Sequence, residues 1–170
     1  YTVIVNDFSG CADTSTYLVE EPSEIVIGVT VNDVSCNGGN DGDAIAQITG
    51  GAAPWIFQWD DINSSVGNSA VDLTAGSYSV TVEDSLGCSI TSTPVIVSEP
   101  LPLQISTSST LISCNGGSDG TASVTGSGGI QPYTFEWSNG NNTSTVGGLS
   151  QGTYFVTIVD AEGCSISTSQ

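Results

Sequence analysis

Trp55-Ile56-Phe57-Gln58-Trp59 and Tyr133-Thr134-Phe135-Glu136-Trp137 are two copies of one pattern. In each, aromatic side chains occupy every second position and the residues between them are mostly polar. That period of two places one aromatic face on an extended strand, which reads as a half-buried β-strand. Tyr78, Val80 and Val82 repeat the alternation, as do Tyr154, Val156 and Ile158, and Ala44, Ala46 and Ile48 line a shorter strand.

The surrounding sequence repeats as well. Ser35-Cys36-Asn37-Gly38-Gly39-Asn40-Asp41-Gly42 returns as Ser113-Cys114-Asn115-Gly116-Gly117-Ser118-Asp119-Gly120. Ala75-Gly76-Ser77-Tyr78 returns as Gln151-Gly152-Thr153-Tyr154, and the opening Tyr1-Thr2-Val3-Ile4-Val5 matches the run that begins at Tyr78. A repeat of roughly 77 residues therefore organises the chain. Residues 1–22 read as the C-terminal strands of a truncated module, 23–100 as a complete module, and 101–170 as a module lacking the end of its last strand. Glu21-Pro22 and Glu99-Pro100 mark the joins, and proline restricts both itself and the preceding residue to extended backbone, so the joins are expected to be semi-rigid. The chain opens within a strand-like run and without Met, which reads as an interior slice of something longer.

Composition agrees with short strands and many turns: 21 Gly, 6 Pro, and a hydrophobic fraction of 38% that includes three Trp, five Tyr and four Phe. Turn signals at roughly 8 to 12 residue spacing, a Trp strand, and a Leu-x-x-Gly-x-Tyr turn (Leu73 to Tyr78, Leu149 to Tyr154) predict an all-β chain. The expected architecture is tandem immunoglobulin-like β-sandwich modules, about seven strands each, in a head-to-tail rod. The Leu-x-x-Gly-x-Tyr turn predicts a tyrosine corner.

Charge narrows function. Eighteen Asp and Glu face no Lys, Arg or His, for a formal charge of −18. The basic surfaces that bind nucleic acid or anionic lipid are missing, and no apolar run reaches the roughly 18 residues of a membrane span. Without His or Lys there is no imidazole base and no Schiff-base amine, which removes most enzyme classes. The adjacent pair Asp60-Asp61 imitates a glycosidase pair, but the next module has Ser138-Asn139 there. The alternate spacing of Trp55, Trp59 and Trp137 predicts core rather than a sugar-stacking platform.

Four motifs in fixed order resemble the SprB-repeat family of very long cell-surface adhesins in gliding Bacteroidota. They are the Ser-Cys-Asn-Gly-Gly-x-Asp-Gly block, the Gly-Gly-x-x-Pro-[Trp/Tyr] approach to the aromatic strand (Gly50 to Trp55, Gly128 to Tyr133), the Leu-x-x-Gly-x-Tyr turn, and the Asp-x-x-Gly-Cys hairpin (Asp84 to Cys88, Asp160 to Cys164). The resemblance spans the whole chain. It implies export to the cell surface, adhesion and an array architecture, and it supplies no ligand.

Five cysteines, an odd number, leave at least one without a partner in the chain. Each module has one after its first strand (Cys36, Cys114) and one opening its last (Cys11, Cys88, Cys164). Bonds within a module would join Cys36 to Cys88 and Cys114 to Cys164. In an immunoglobulin-like sandwich, however, those two loops lie at opposite poles, roughly 23 Å apart for a seven-residue strand, whereas a disulfide needs Cα atoms within about 7 Å. Head-to-tail stacking brings Cys36 of one module to Cys164 of the next. Cys11, Cys88 and Cys114 then expect partners in neighbouring modules beyond residues 1–170. Both pairings are carried forward, together with free thiols.

With no cation in the chain, each carboxylate is solvated, bonded to backbone N–H, or bound to metal. Asp41, Asp119, Asp7, Asp84 and Asp160 recur beside glycines and read first as turn residues accepting backbone hydrogen bonds. The alternative is calcium held at the module boundary by Asp41, Glu99 and Asp160. The expected function is a non-enzymatic extracellular stalk of a large surface adhesin, with neighbouring modules as partners and a surface or polysaccharide ligand elsewhere. The alternatives are a carbohydrate-binding module array and a self-associating extracellular filament.

Overall fold

The computed structural model describes residues 1–170. Its regular elements are all strands, and it has no helix long and apolar enough to cross a membrane.

Residues 1–16 form a lone hairpin, β1 (Thr2–Asn6) with β2 (Ala12–Thr16), in which every residue is exposed. The second unit runs through β3 (Val26–Asn32), β4 (Gly42–Thr49), β5 (Ile56–Trp59), β6 (Ser69–Leu73), β7 (Gly76–Tyr78), β8 (Val80–Glu83), β9 (Ser89–Thr91) and β10 (Val95–Val97). The third runs through β11 (Gln104–Ser109), β12 (Gly120–Ser127), β13 (Thr134–Trp137), β14 (Thr145–Leu149), β15 (Phe155–Val159) and β16 (Ser165–Ser169).

In both units two antiparallel three-stranded sheets face each other, β3-β4-β6 against β5-β8-β9 and β11-β12-β14 against β13-β15-β16. Each module is an immunoglobulin-like sandwich. Alternation decides which side chains meet between the sheets. Ala44, Ala46, Ala70 and Leu73 from one sheet close over Trp59, Val80 and Val82 from the other. Ala122, Val124, Val146 and Leu149 do the same over Trp137, Val156 and Ile158. These are two separate cores. Small residues on the first sheet leave room for one large indole from the second, as interior packing density requires.

The two modules differ in strand count. In the second, Ser79 and the stretch 92–94 break the last two long strands, giving eight strands, and β10 pairs with β7. The third has six over residues 101–170.

Local signals set the turns. Tyr78 donates its hydroxyl to Thr74 O at 2.9 Å and Tyr154 to Ser150 O at 3.2 Å, the tyrosine corner of each module. Gly50 and Gly128 take positive φ (76° and 73°). A Cβ there would sit 1.9 Å from Glu24 O or 2.0 Å from Pro102 O, so only glycine lets the chain cross beside the module's first residues.

Trp55 departs from the expected pattern. Trp59 and Trp137 are buried with Nε1 donating to Gly67 O and Thr143 O, whereas Trp55 is only half-buried at the core's edge and its Nε1 is buried without a partner. Its counterpart Tyr133 donates its hydroxyl to Gly128 O. A phenol reaches that carbonyl and the indole does not.

Candidate functional site

The boundary between the second and third modules gathers the residues singled out above. The loop between β3 and β4 forms one side, and the turn between β15 and β16 the other. Each is shaped by an aspartate. Asp41 accepts hydrogen bonds from both the backbone N–H and the hydroxyl of Ser35, and this side-chain bond, with the backbone bond second, holds its carboxyl below the ordinary carboxylate value. Asp119 is lowered in the same way by Ser113.

Asp160 turns the β15–β16 hairpin. Its Oδ2 accepts the Ile130 N–H at 2.9 Å, and its Oδ1 accepts those of Glu162 and Cys164 at 3.0 and 2.9 Å. Asp84 is built identically, on Ala52, Leu86 and Cys88. Both carboxyls are therefore held low, first by the distant N–H of Ala52 or Ile130 and then by their own turn, which outweighs the opposing effect of burial. Asp7 makes only the local pair of bonds, to Ser9 and Cys11.

The geometry of these turns sets Cys36 opposite Cys164, and the two are joined: S–S 2.01 Å, Cα–Cα 5.7 Å. Cys36 is thus not bonded to Cys88, nor Cys114 to Cys164. Cys11, Cys88 and Cys114 are free and exposed. Beside the disulfide the linker is tied to the same loop. Glu99 Oε2 accepts the Gly38 N–H, and Pro100 O accepts Asn37 Nδ2–H at 3.0 Å. On the far side Leu101 O accepts the Gly129 N–H at 2.8 Å. One covalent bond and three hydrogen bonds therefore cross or flank the join, where few contacts would leave a hinge.

The calcium arrangement is corrected by this structure. Asp41, Glu99 and Asp160 do not converge, and no group of three acids or thiols able to hold a metal forms anywhere in the chain. The physical reason is the N–H supply: Asp41 turns toward Ser35, Glu99 toward Gly38, and Asp160 into its own module toward Ile130. The acid pair Asp60-Asp61 is likewise structural. Asp60 accepts Ser79 N–H and hydroxyl, Asp61 accepts Asn63 and Ser65, and in the third module Ser138 and Asn139 take those places by accepting Phe155 and Asn141 N–H.

Leu111, Ile112, Leu149, Tyr154 and Gln170, among others, line a groove of about 540 Å³ on the third module.

Among proteins of known structure, the chain is similar to an amphioxus IgVJ-C2 molecule (16% identity, TM-score 0.33, covering 71% of this chain and 88% of that one). It is also similar to the C-terminal 282-residue fragment of intimin, solved with the intimin-binding domain of the translocated intimin receptor (14%, 0.41, 89% and 64%). A Dscam structure gives 14% identity and TM-score 0.33, covering 95% of this chain and 50% of that one. The chain thus spans less than two thirds of the intimin and Dscam chains. No curated protein sequence matches it. The family model of the SprB repeat matches at residues 28–64 and 106–142, the first half of each sandwich including the Cys-Asn-Gly-Gly loop and the aromatic strand. The SprB-repeat model thus matches the chain twice, once in each of its sandwich modules.

Proposed function

We propose that the chain is a load-bearing spacer, a non-enzymatic stretch of the stalk of an extracellular cell-surface adhesin. The observation that carries this reading is the disulfide between Cys36 and Cys164, with a sequence separation of 128. Tension applied at the two ends runs from residue 1 to Cys36, across the sulfur bridge, and out from Cys164 to residue 170. Residues 37–163, Trp59 and Trp137 among them, lie outside the force path, which takes in β3 with Ile25 and Val34 on one side and β16 on the other. A stalk that extends a binding element needs this property, since a module that unfolds under load lengthens the tether and loses its rigidity.

The SprB repeat belongs with cell-surface proteins, and the remaining chemistry suits a spacer. A charge of −18 without a cation keeps long polymers soluble and mutually repelling. Beyond about 8 Å those charges are largely screened at physiological salt, so the acidity costs the folded modules little.

Single-molecule pulling from the two termini tests the reading. The oxidised chain should resist extension beyond its terminal segments. Adding reductant should release the enclosed polypeptide, on the order of 400 Å of new contour at about 3.4 Å per residue. Equal extension with and without reductant would overturn the load-path role, and tight, selective binding of a polysaccharide by these modules would favour a carbohydrate-binding array instead.

A further inference from the structure

Asn-Gly is the dipeptide most open to loss of the side-chain amide, because glycine has no Cβ to shield its nitrogen from the neighbouring carboxamide. Asn37-Gly38 stands at the join between the two sandwiches, and Asn139-Gly140 in the turn that follows β13.

The Asn37-Gly38 step is held on several sides. Gly39 N–H donates to Cys36 O at 2.9 Å and closes a turn in which Gly38 takes φ 75°. Asn37 Nδ2–H donates to Pro100 O at 3.0 Å, and Gly38 N–H donates to Glu99 Oε2. Cys36, one residue earlier, is fixed to Cys164 by the disulfide. The amide nitrogen and the carboxamide that would have to meet are therefore each bonded to the linker, through different acceptors. Asn37 and Gly38 are nonetheless exposed, so water and hydroxide reach the step and burial does not protect it.

We propose that Asn37-Gly38 is a deamidation site that the join between the modules holds closed. When the join opens, Gly38 N–H gives its proton to hydroxide, the nitrogen attacks Asn37 Cγ, and a new C–N bond forms as ammonia leaves. Water then opens the succinimide at either carbonyl carbon and gives aspartate or isoaspartate. The sum is one water consumed and one ammonia released, with no change of oxidation state. Glu99 opposes the first step twice: its Oε2 holds the proton in place, and its charge repels the negative charge that builds on the nitrogen.

The change is one-way. Aspartate at this position sets a carboxylate against Pro100 O, acceptor facing acceptor, and places a second negative charge beside Glu99. Isoaspartate also lengthens the backbone and displaces the Gly38 N–H. Either product loses ties to the linker and leaves the disulfide and the bond from Gly129 N–H to Leu101 O to hold the join. A transient opening is thereby converted into permanent loosening. The proposal rests on the geometry of the join and not on the spacer reading, and each stands whichever way the other falls.

The test incubates the 170-residue chain in mildly alkaline buffer and follows amide-to-acid conversion at Asn37 by peptide mapping and mass spectrometry. The same chain in denaturant sets the unprotected rate. In the oxidised, folded chain Asn37 should convert at least about fivefold more slowly than that, the factor that one hydrogen bond supplies. Reductant, Cys164→Ser and Glu99→Ala should each speed conversion at least about twofold, as local opening becomes easier. Asn139 is the internal control, since Gly140 N–H is held by Trp137 O at 2.9 Å within the third module, and its rate should not move. Asn37→Asp should speed hydrogen exchange at the Gly38 amide in the oxidised chain. Equal rates in the folded and denatured chain would overturn the proposal. So would conversion that Glu99→Ala slows or leaves unchanged, or an acceleration that Asn139 shares.

Discussion

Cys36 and Cys164 stand 128 residues apart in sequence and 5.7 Å apart between Cα atoms, so nearly all of two sandwiches is enclosed in one covalent loop. A cross-link of that span removes loop-closure entropy from the unfolded chain, a contribution of about 2–4 kcal/mol in typical cases. Cys164→Ser should therefore lower the thermal midpoint of the chain by several degrees under oxidising conditions and leave the reduced protein almost unchanged. Scanning calorimetry with and without reductant measures both. Fragment mapping of the oxidised chain should show Cys36 joined to Cys164, and a fragment containing Cys36 joined to Cys88 would contradict the assignment.

Gly128→Ala should destabilise the third module alone. Its φ of 73° is strained for alanine, and the new Cβ would meet Pro102 O at 2.0 Å, so a loss of about 1–3 kcal/mol is expected from the backbone conformation before the clash is counted. Denaturant unfolding followed by tryptophan fluorescence should show the Trp137 transition moved to lower denaturant, with that of the second module in place.

Trp137→Ala should cost about 3–5 kcal/mol, the usual loss for a buried large aromatic, because the side chain is 2% exposed and fills the space between Ala122, Val124 and Val156. Trp55→Phe should be close to neutral or stabilising. It removes a buried N–H that has no acceptor, and such a group costs free energy while it remains unpaired. Equilibrium unfolding of the two variants separates the core indole from the peripheral one.

Acid should weaken the fold through Asp84 and Asp160. Both are held below their ordinary value of 3.8 by backbone N–H groups, those of Ala52 and Ile130 foremost. A carboxylate lowered in the folded state binds protons more readily when unfolded. Its contribution is thus complete above the unfolded value and is lost as pH falls through the folded one. Melting midpoints should hold steady above about pH 5 and fall as the solution is acidified below about pH 4. Asp160→Asn should flatten that dependence for the third module. Protonation also relieves repulsion among eighteen acids, but at physiological salt that repulsion is screened beyond about 8 Å, so the local bonds decide the sign. A midpoint that rises on acidification would refute this.

Calcium should leave the melting curve where it is in chelator. Asp41, Glu99 and Asp160 each face a different backbone donor and form no shared cage, and a hard cation needs six to eight oxygens around one point. A calcium-dependent rise in midpoint would require those side chains to turn away from their present partners.

What the sequence determined by itself was whatever depends on near neighbours. Alternation at Trp55, Phe57 and Trp59, the Leu-x-x-Gly-x-Tyr turn, and the aspartate before each Gly-Cys hairpin are periodicities and short-range bonds, and they appear twice, so strand, corner and module length were legible. Tertiary structure decided whatever depends on two segments meeting. Nothing within the hairpin says that Asp84 reaches Ala52 or Asp160 reaches Ile130. Nor does spacing tell whether Asp41, Glu99 and Asp160 face one another or three separate N–H groups, since that turns on the direction of each side chain. The indole of Trp55 lacks an acceptor for the same reason: Tyr133, at the equivalent place, differs from it by the reach of a hydroxyl.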